Sequence, residues 1–325
     1  MRAVTIPAPG GPEVLRVEDR PDPVPGRGDV VISVAAAGVN RADLHQREGN
    51  YPPPGGAPDW PGLEVSGTIV AAGDAVADLK PGDRVCALLA GGGYAELVLA
   101  PAGLVLPVPD TVDLTEAAGL PEAMCTVWST VFMSADLRSG ETLLVHGGSG
   151  GIGTMAIQLA RAIGCRVAVT AGSDEKLDAC RTLGADILID YRDQDFVETV
   201  LAATEGRGAD VILDAIGGGY LDRNLRALAP HGRIELIGNQ SGVPGELSVG
   251  RLMAKWGTIR ASTLRARPLA EKEKIVASVL ANAWPLVASK HVRPVIDRSF
   301  PFEEARRAHQ AMESGNRIGK LLLVP

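Results

Sequence analysis

The chain has 325 residues, enough at about 150 residues per domain for two domains with a sizeable core in each. Hydrophobic residues make up 46% and charged residues 22%, the profile of an ordinary globular protein. The net charge of −7 and the lack of a basic run argue against a broad nucleic-acid surface, which needs clustered Lys and Arg.

The first residues show no apolar run of signal-peptide length behind a basic flank, and no later stretch reaches the ~20 apolar residues of a membrane span. The expectation is a cytoplasmic protein. The first third is rich in Gly, Pro and Val. Short strands are expected at Val30–Ala35, Val65–Ala71, Arg84–Leu89 and Tyr94–Leu99, punctuated by Lys80-Pro81-Gly82-Asp83 and Gly91-Gly92-Gly93. Such a run predicts a small barrel or folded sheet. The pattern changes near Glu122. Strands at Leu143–His146, Arg166–Thr170, Ile187–Asp190, Asp210–Ala215 and Arg233–Ile237 alternate with helices at Ile152–Ile163, Asp174–Leu183, Asp193–Ala203 and Leu221–Leu228. Strict alternation with continuously apolar strands predicts a parallel sheet covered on both faces. The tail adds an amphipathic helix at Phe302–Met312 and a closing strand at Lys320–Val324. Cys86, Cys125, Cys165 and Cys180 form no CxxC pair, so they give neither a zinc knuckle nor a disulfide framework and read as reduced, buried thiols.

Between the strand ending at His146 and the helix after it lies Gly147-Gly148-Ser149-Gly150-Gly151-Ile152-Gly153. Glycines permit a tight turn and close approach of backbone to a pyrophosphate, and the helix N-terminus offers unpaired N–H groups to the anion. The spacing is G-x-x-G-x-x-G rather than G-x-G-x-x-G, so the βαβ context carries the reading of a dinucleotide site. The end of the next strand selects the cofactor. An NAD enzyme places an acid there to bond the ribose 2′-OH. Here the stretch is Thr170-Ala171-Gly172-Ser173, with Asp174 and Glu175 after it. Ser173 reads as a helix cap, the two acids suit a first helical turn, and Lys176 projects from that turn. A neutral platform beside a Lys favours the 2′-phosphate of NADPH, although either acid leaves an NAD reading open.

These segments, with Gly38-Val39-Asn40-Arg41-Ala42-Asp43-Leu44, Gln46-Arg47-Glu48-Gly49-Asn50-Tyr51, Pro61-Gly62-Leu63-Glu64-Val65-Ser66-Gly67 and Asn316–Leu322, make the chain resemble a medium-chain dehydrogenase/reductase over nearly its full length. The resemblance is to the zinc-free quinone oxidoreductase branch, in particular the p53-inducible type. It implies an α/β protein with a GroES-like, β-rich catalytic domain at 1–122 and 265–325 and an inserted Rossmann domain at 123–264. It implies that Gly148, Ser149, Gly150, Gly151, Ile152 and Gly153 meet the pyrophosphate, and that Gly172, Ser173, Lys176 and Tyr191 hold the 2′-phosphate. Asn40, Tyr51 and Thr126 match positions near the nicotinamide. Ile216, Gly217, Asn239, Gln240, Ser241, Leu264, Asn316 and Lys320 match positions lining the cofactor. It also implies a homodimer through the far sheet edge, around Glu246–Ser248 and Thr258–Ala261.

Plainer roles compete at single positions. Asn40 suits the cap of a helix starting at Arg41, Tyr51 a packed loop aromatic, and Tyr191 an amphipathic surface. His45 reads as a surface helix residue, and Trp60 and Trp128 as packing. In zinc relatives the positions of Asn40 and Leu63 hold Cys and His; Asn and Leu are not zinc ligands, and no metal is expected. Without a Lewis acid to hold an alkoxide, the expected reaction is hydride transfer from NADPH to a quinone, with Asn40 and Tyr51 at the reacting end. An enone or enoyl-thioester reductase on the same scaffold is the alternative enzyme, and a non-catalytic NADPH-binding protein the alternative class.

Overall fold

The computed structural model describes residues Met1–Pro325, which divide into two compact units. One joins Met1–Cys125 to Leu264–Pro325; the other is Thr126–Thr263.

The second unit is built on a six-stranded sheet. Its strands, in spatial order, are Ile187–Asp190, Arg166–Ala171, Thr142–His146, Ala209–Asp214, Leu228–Leu236 and Thr258–Ala261, and every pairing is parallel. Numbered by chain position this order is 3-2-1-4-5-6, that of the doubly wound dinucleotide-binding fold. The chain reverses direction across the sheet between Thr142–His146 and Ala209–Asp214, and ligands in such sheets bind beyond the strand ends at that point. Local chemistry sets the helices. Gly151–Ile163 buries Met155, Ile157 and Leu159 and stops at left-handed Gly164. Asp174–Leu183 starts at the Ser173 cap, whose hydroxyl accepts from Lys176 N–H. The helix expected from Asp193 begins instead at Phe196, because the Asp195 carboxylate caps it by accepting from Val197 N–H at 2.7 Å. Leu144, Ala168, Ile189, Phe196, Val200, Ile212 and Ile234 form the core on one face.

In the first unit, six strands of a seven-stranded sheet run in the order Ile296–Pro301, Lys320–Val324, Asp29–Val39, Glu64–Ala72, Arg84–Leu88 and Val105–Pro107. The seventh, Leu97–Pro101, also pairs with Asp29–Val39 and starts three residues later than the alternation from Tyr94 suggested. Tyr94 is instead drawn into the core, where its hydroxyl donates to Asp43. Val30, Ile32, Ile69, Val85, Phe302, Leu321 and Leu323 pack together beneath the sheet. The closing strand is the part that matters for function. Lys320–Val324 pairs antiparallel with Asp29–Val39, Leu321 opposite Val39, so Lys320 arrives beside Asn40. Val65 lies opposite Ala37 in the next pairing, which brings Glu64 to the same end. No helix in the chain is long and apolar enough to cross a membrane.

Candidate active site

In the Rossmann unit the glycine loop turns from His146 into the helix Gly151–Ile163. Gly150 at its cap position makes no side-chain bond, and the first-turn N–H groups have no acceptor within the helix. Gly153 is required by close approach: a Cβ there would collide with the carbonyl oxygens of Gly147 and Gly148. Backbone donors, a helix N-terminus and the absence of side chains together fit a pyrophosphate.

The next strand, Arg166–Ala171, ends at a second cradle. A Cβ on Gly172 would occupy the place of the Tyr191 hydroxyl, so the two positions are spatial neighbours. Ser173 caps the following helix, whose first turn carries Lys176, while Asp174 and Glu175 point to solvent as first-turn acids. The structure therefore brings Gly172, Ser173, Lys176 and Tyr191 together, with no carboxylate at the strand tip. Tyr191 is 51% exposed, which agrees with the surface reading and leaves the ring reachable by a ligand.

Farther along the same strand ends, Ile216 and Gly217 form a turn whose N–H groups donate to Asp214. Asn239 Oδ1 accepts from Gly218 N–H at 3.1 Å and from the Ser241 hydroxyl at 3.2 Å, closing a second loop. A cavity of about 590 Å³ opens between them, lined by Gly217, Asn239, Val243, Gly245 and Thr263 among others. Gln240, next to Asn239, is exposed. Thr126 contributes its carbonyl to the Thr130 hydroxyl at 2.7 Å and sits at the entry to a π-helical stretch, Trp128–Ser134.

The first unit holds Asn40, Tyr51, Leu264, Asn316 and Lys320. Asn40 is the N-cap of the helix Arg41–Arg47 and forms a capping box with Asp43, whose carboxylate accepts from Asn40 N–H at 2.8 Å. The Asn40 amide also reaches residues of other strands. Its Nδ2 donates to Glu64 Oε1 at 2.9 Å, and its Oδ1 accepts from Lys320 Nζ at 2.7 Å. Lys320 also pairs with Glu64, whose other oxygen accepts from Glu122 N–H at 2.8 Å. Glu64 is fully buried and Lys320 is 5% exposed. The Lys320 side chain, at a position the resemblance places along the cofactor, is held in an internal ion pair, because an unpaired buried Glu64 would be costly.

Tyr51 is positioned by a residue the sequence reading missed. Arg265, 4% exposed, donates to the Tyr51 carbonyl at 3.2 Å, to Gln46 Oε1 at 2.8 Å and to Ala90 O at 2.7 Å, and its guanidinium lies 5.3 Å from the Tyr51 ring centroid. Leu264, the residue before it, is buried. Asn316 lies in the loop before the closing strand, and its N–H donates to the Ser314 hydroxyl.

Three further groups were not visible as site residues. Burial beside Glu64 pushes the Glu122 carboxyl up to about 8. Asp43 rises to about 6 through burial, against the pull of its three hydrogen-bond donors, Asn40 N–H, Gly62 N–H and the Tyr94 hydroxyl. Arg317 falls to about 10 through burial and the nearby Arg41 charge, and the Nε atoms of Arg41 and Arg317 are both buried without a partner. Two adjacent guanidiniums with unmet donors suit an anion. The one local signal was the Arg in Asn40-Arg41, next to a residue already singled out.

Residues 26–110 match the alcohol dehydrogenase GroES-like domain and residues 151–281 the zinc-binding dehydrogenase family. The quinone oxidoreductase of Rattus norvegicus is 33% identical over 327 residues, covering 100% of this chain and 98% of the rat protein. The chain belongs to the quinone oxidoreductase family of medium-chain dehydrogenases/reductases. Among solved structures similar to this family member, Escherichia coli quinone oxidoreductase complexed with NADPH superposes with a TM-score of 0.89 at 27% identity, each chain fully covered. An NAD-dependent alcohol dehydrogenase superposes with a TM-score of 0.88 at 31% identity, again over 100% of both chains. The fold is thus shared by proteins named for either cofactor, and the choice rests on residues. The zinc in the matched family's description finds no fit here: Asn40 is bonded to Glu64 and Lys320, Leu63 is 1% exposed in the core, and no three His, Cys, Asp or Glu side chains are placed to hold a metal.

Proposed function

We propose that this family member is an NADPH-dependent quinone reductase that transfers hydride without a metal. The observation that carries the reading is the closed Asn40–Glu64–Lys320 cluster. At the positions where zinc relatives carry ligands, this chain has an amide locked by a carboxylate and an ammonium, and a buried leucine. That donor set cannot stabilise an alkoxide as a Lewis acid does, which disfavours alcohol oxidation and suits an acceptor already primed for hydride. When bound, NADPH supplies the hydride.

The chain's own residues bind and orient. The glycine loop meets the pyrophosphate with backbone N–H groups, and Lys176, Ser173 and Tyr191 meet the 2′-phosphate with charge-assisted hydrogen bonds. Lys320 and Glu64 fix which end of the Asn40 amide is donor and which acceptor. Arg265 holds the Tyr51 ring and main chain, so both reacting-end side chains are set before substrate arrives. The same reading includes a homodimer. Thr258–Ala261 is the open edge of the Rossmann sheet, and Val249, Met253 and Trp256 nearby are exposed. Glu246–Ser248, also expected at that edge, forms no strand. Sedimentation at micromolar concentration tests the dimer, and a monomer contradicts it.

The central experiment is steady-state oxidation of NADPH and NADH across quinones, enones and alcohols, with both cofactor dissociation constants for wild type and Lys176→Ala. Quinones are expected to turn over fastest and NADPH to be preferred. The variant is expected to weaken NADPH by about 10- to 150-fold, one charge-assisted bond, and to leave NADH nearly unchanged. A wild type that prefers NADH, or a variant that loses both cofactors equally, defeats the cofactor assignment. Faster turnover of enones moves the acceptor to that class. About one tightly bound zinc per chain, with activity lost to chelators, defeats the metal-free reading.

A further inference from the structure

At the switch point of the Rossmann sheet, a line of buried side chains joins the two loops that the cofactor reading uses. Gly147 N–H is shared between the Thr170 carbonyl at 3.1 Å and the Thr170 hydroxyl at 3.2 Å, and Gly148 N–H donates to the same carbonyl at 2.9 Å. Thr170 Oγ1 lies 3.3 Å from His146 Nδ1, and His146 Nε2 lies 2.8 Å from Asn224 Oδ1. Asn224 Nδ2 donates to Asp214 Oδ2 at 2.8 Å, and Asp214 Oδ1 accepts from Ile216 N–H at 2.5 Å and Gly217 N–H at 3.2 Å. Thr170, His146, Asn224 and Asp214 are all buried, Asn224 and Asp214 completely.

Chemistry fixes the direction of every bond. The Asp214 carboxylate only accepts, so Asn224 must turn its NH₂ toward Asp214 and its carbonyl toward His146. That carbonyl requires a proton on Nε2. In the neutral ring Nδ1 is then an acceptor, which accepts a hydrogen bond from the Thr170 hydroxyl and leaves Thr170 Oγ1 to accept from Gly147. Burial holds the imidazole neutral, and Arg223 opposes a second positive charge against the attraction of Asp214. The edges of Phe196 and Tyr220, with ring centroids at 4.7 and 4.9 Å, close the remaining side of the ring. Donors and acceptors therefore match in one arrangement along the whole line.

We infer that Thr170, His146 and Asn224 are positioning residues for the cofactor: their line locks the glycine loop and the Ile216–Gly217 turn into a single geometry. None of the three needs to touch the cofactor. The inference rests on the reading that a dinucleotide spans these two loops. Because the line is continuous, cutting it at either end removes the same side-chain constraint while the backbone bonds to the Thr170 carbonyl stay, and two cuts should do little more than one.

The test is a double-mutant cycle on cofactor affinity. Thr170→Val is isosteric and removes one hydroxyl; Asn224→Ala cuts the far end. Each is expected to raise the NADPH dissociation constant by about tenfold, and the double variant by about twentyfold at most rather than the roughly hundredfold of independent sites. NADH should weaken in parallel, since the constraint acts away from the 2′-phosphate. Thermal unfolding of each variant is measured alongside; if Asn224→Ala does not fold, Asn224→Ser takes its place. The ¹⁵N spectrum of His146 in wild type should show a protonated Nε2 and a bare Nδ1. Unmoved dissociation constants, fully additive losses, or an Nδ1-protonated ring each overturn the inference. A wild type that binds neither dinucleotide removes the cofactor reading itself, an outcome distinct from normal wild-type binding with unmoved variants.

Discussion

The dinucleotide site proposed for the Rossmann unit offers backbone donors and fixes that backbone with mostly neutral groups. Glycine N–H donors, a hydroxyl, an uncharged imidazole and an amide carry the line to Asp214. The other unit buries charge at its site. Asp43, Glu64, Arg47, Arg265, Lys272 and Lys320 are all buried, and the side chains proposed for the reacting end are held by ions. The difference follows from what each must position. A pyrophosphate is gripped by a turn whose shape lies in a few consecutive residues. An amide or a phenol ring must be aimed by partners from elsewhere in the chain, and buried ion pairs are directional enough to do so at a desolvation cost.

The largest test breaks the ionic side of that contrast. Lys320→Met leaves Glu64 fully buried beside an amide and no cation. The expected loss is about 3–5 kcal/mol of stability, the usual consequence of stranding one partner of a buried pair. Lys176→Ala, at the proposed 2′-phosphate cradle, should change stability by under about 0.5 kcal/mol while it weakens NADPH. Chemical denaturation of the two variants side by side checks the prediction. Equal stabilities would mean that the Lys320–Glu64 pair is not structural, and the contrast between the units would fail.

A smaller effect sharpens the neutral side. Gly153→Ala adds one methyl where the carbonyls of Gly147 and Gly148 already stand. Overpacking of this kind costs about 1–3 kcal/mol, and the loop must shift to relieve it. NADPH and NADH should both weaken, because the loop serves the part they share. Titration calorimetry with each cofactor measures this; selective loss of NADPH alone would contradict the pyrophosphate assignment.

The same contrast explains what could be read in advance. The parallel sheet, the glycine loop and the Gly172–Lys176 cradle are local patterns, and Asp174–Leu183 and Ile187–Asp190 lie where the apolar spacing put them. Asn40 and Lys320 stand out singly, but the pairing does not: Lys320 is 280 residues from Asn40 and Glu64 is 24. Only strand register, Leu321 on Val39 and Val65 on Ala37, brings them together, and no spacing rule reports it. Arg265 escaped notice for the same reason, since Gln46, Tyr51 and Ala90 precede it by well over a hundred residues. Lys320 enters the sequence reading only through the family resemblance; its burial and its carboxylate partner appear only in three dimensions.

The finest effect belongs to the charge-burying unit alone and is how its buried groups make stability respond to pH. Glu122 ordinarily loses its proton near 4.5, but burial beside Glu64 holds it until about 8. Between those values the unfolded chain releases a proton that the folded chain keeps. Stability therefore falls as pH rises through this window, by up to about 1.4 kcal/mol per pH unit for one such group. His309 acts in the opposite sense lower on the scale. Burial lowers it from 6.5 to about 3, with the Arg47 charge adding to the effect, so the unfolded chain gains a proton first and stability falls as pH drops below 6.5. Glu122→Gln carries no titrating carboxyl and should remove only the alkaline slope. The variant should match wild type near about pH 4, where both side chains are neutral, and exceed it increasingly toward about pH 8. Melting temperatures of the pair across that range decide the point. A constant offset at every pH would mean that Glu122 is solvated and ionised in the native state, and that this unit does not hold a protonated acid beside its Glu64–Lys320 pair.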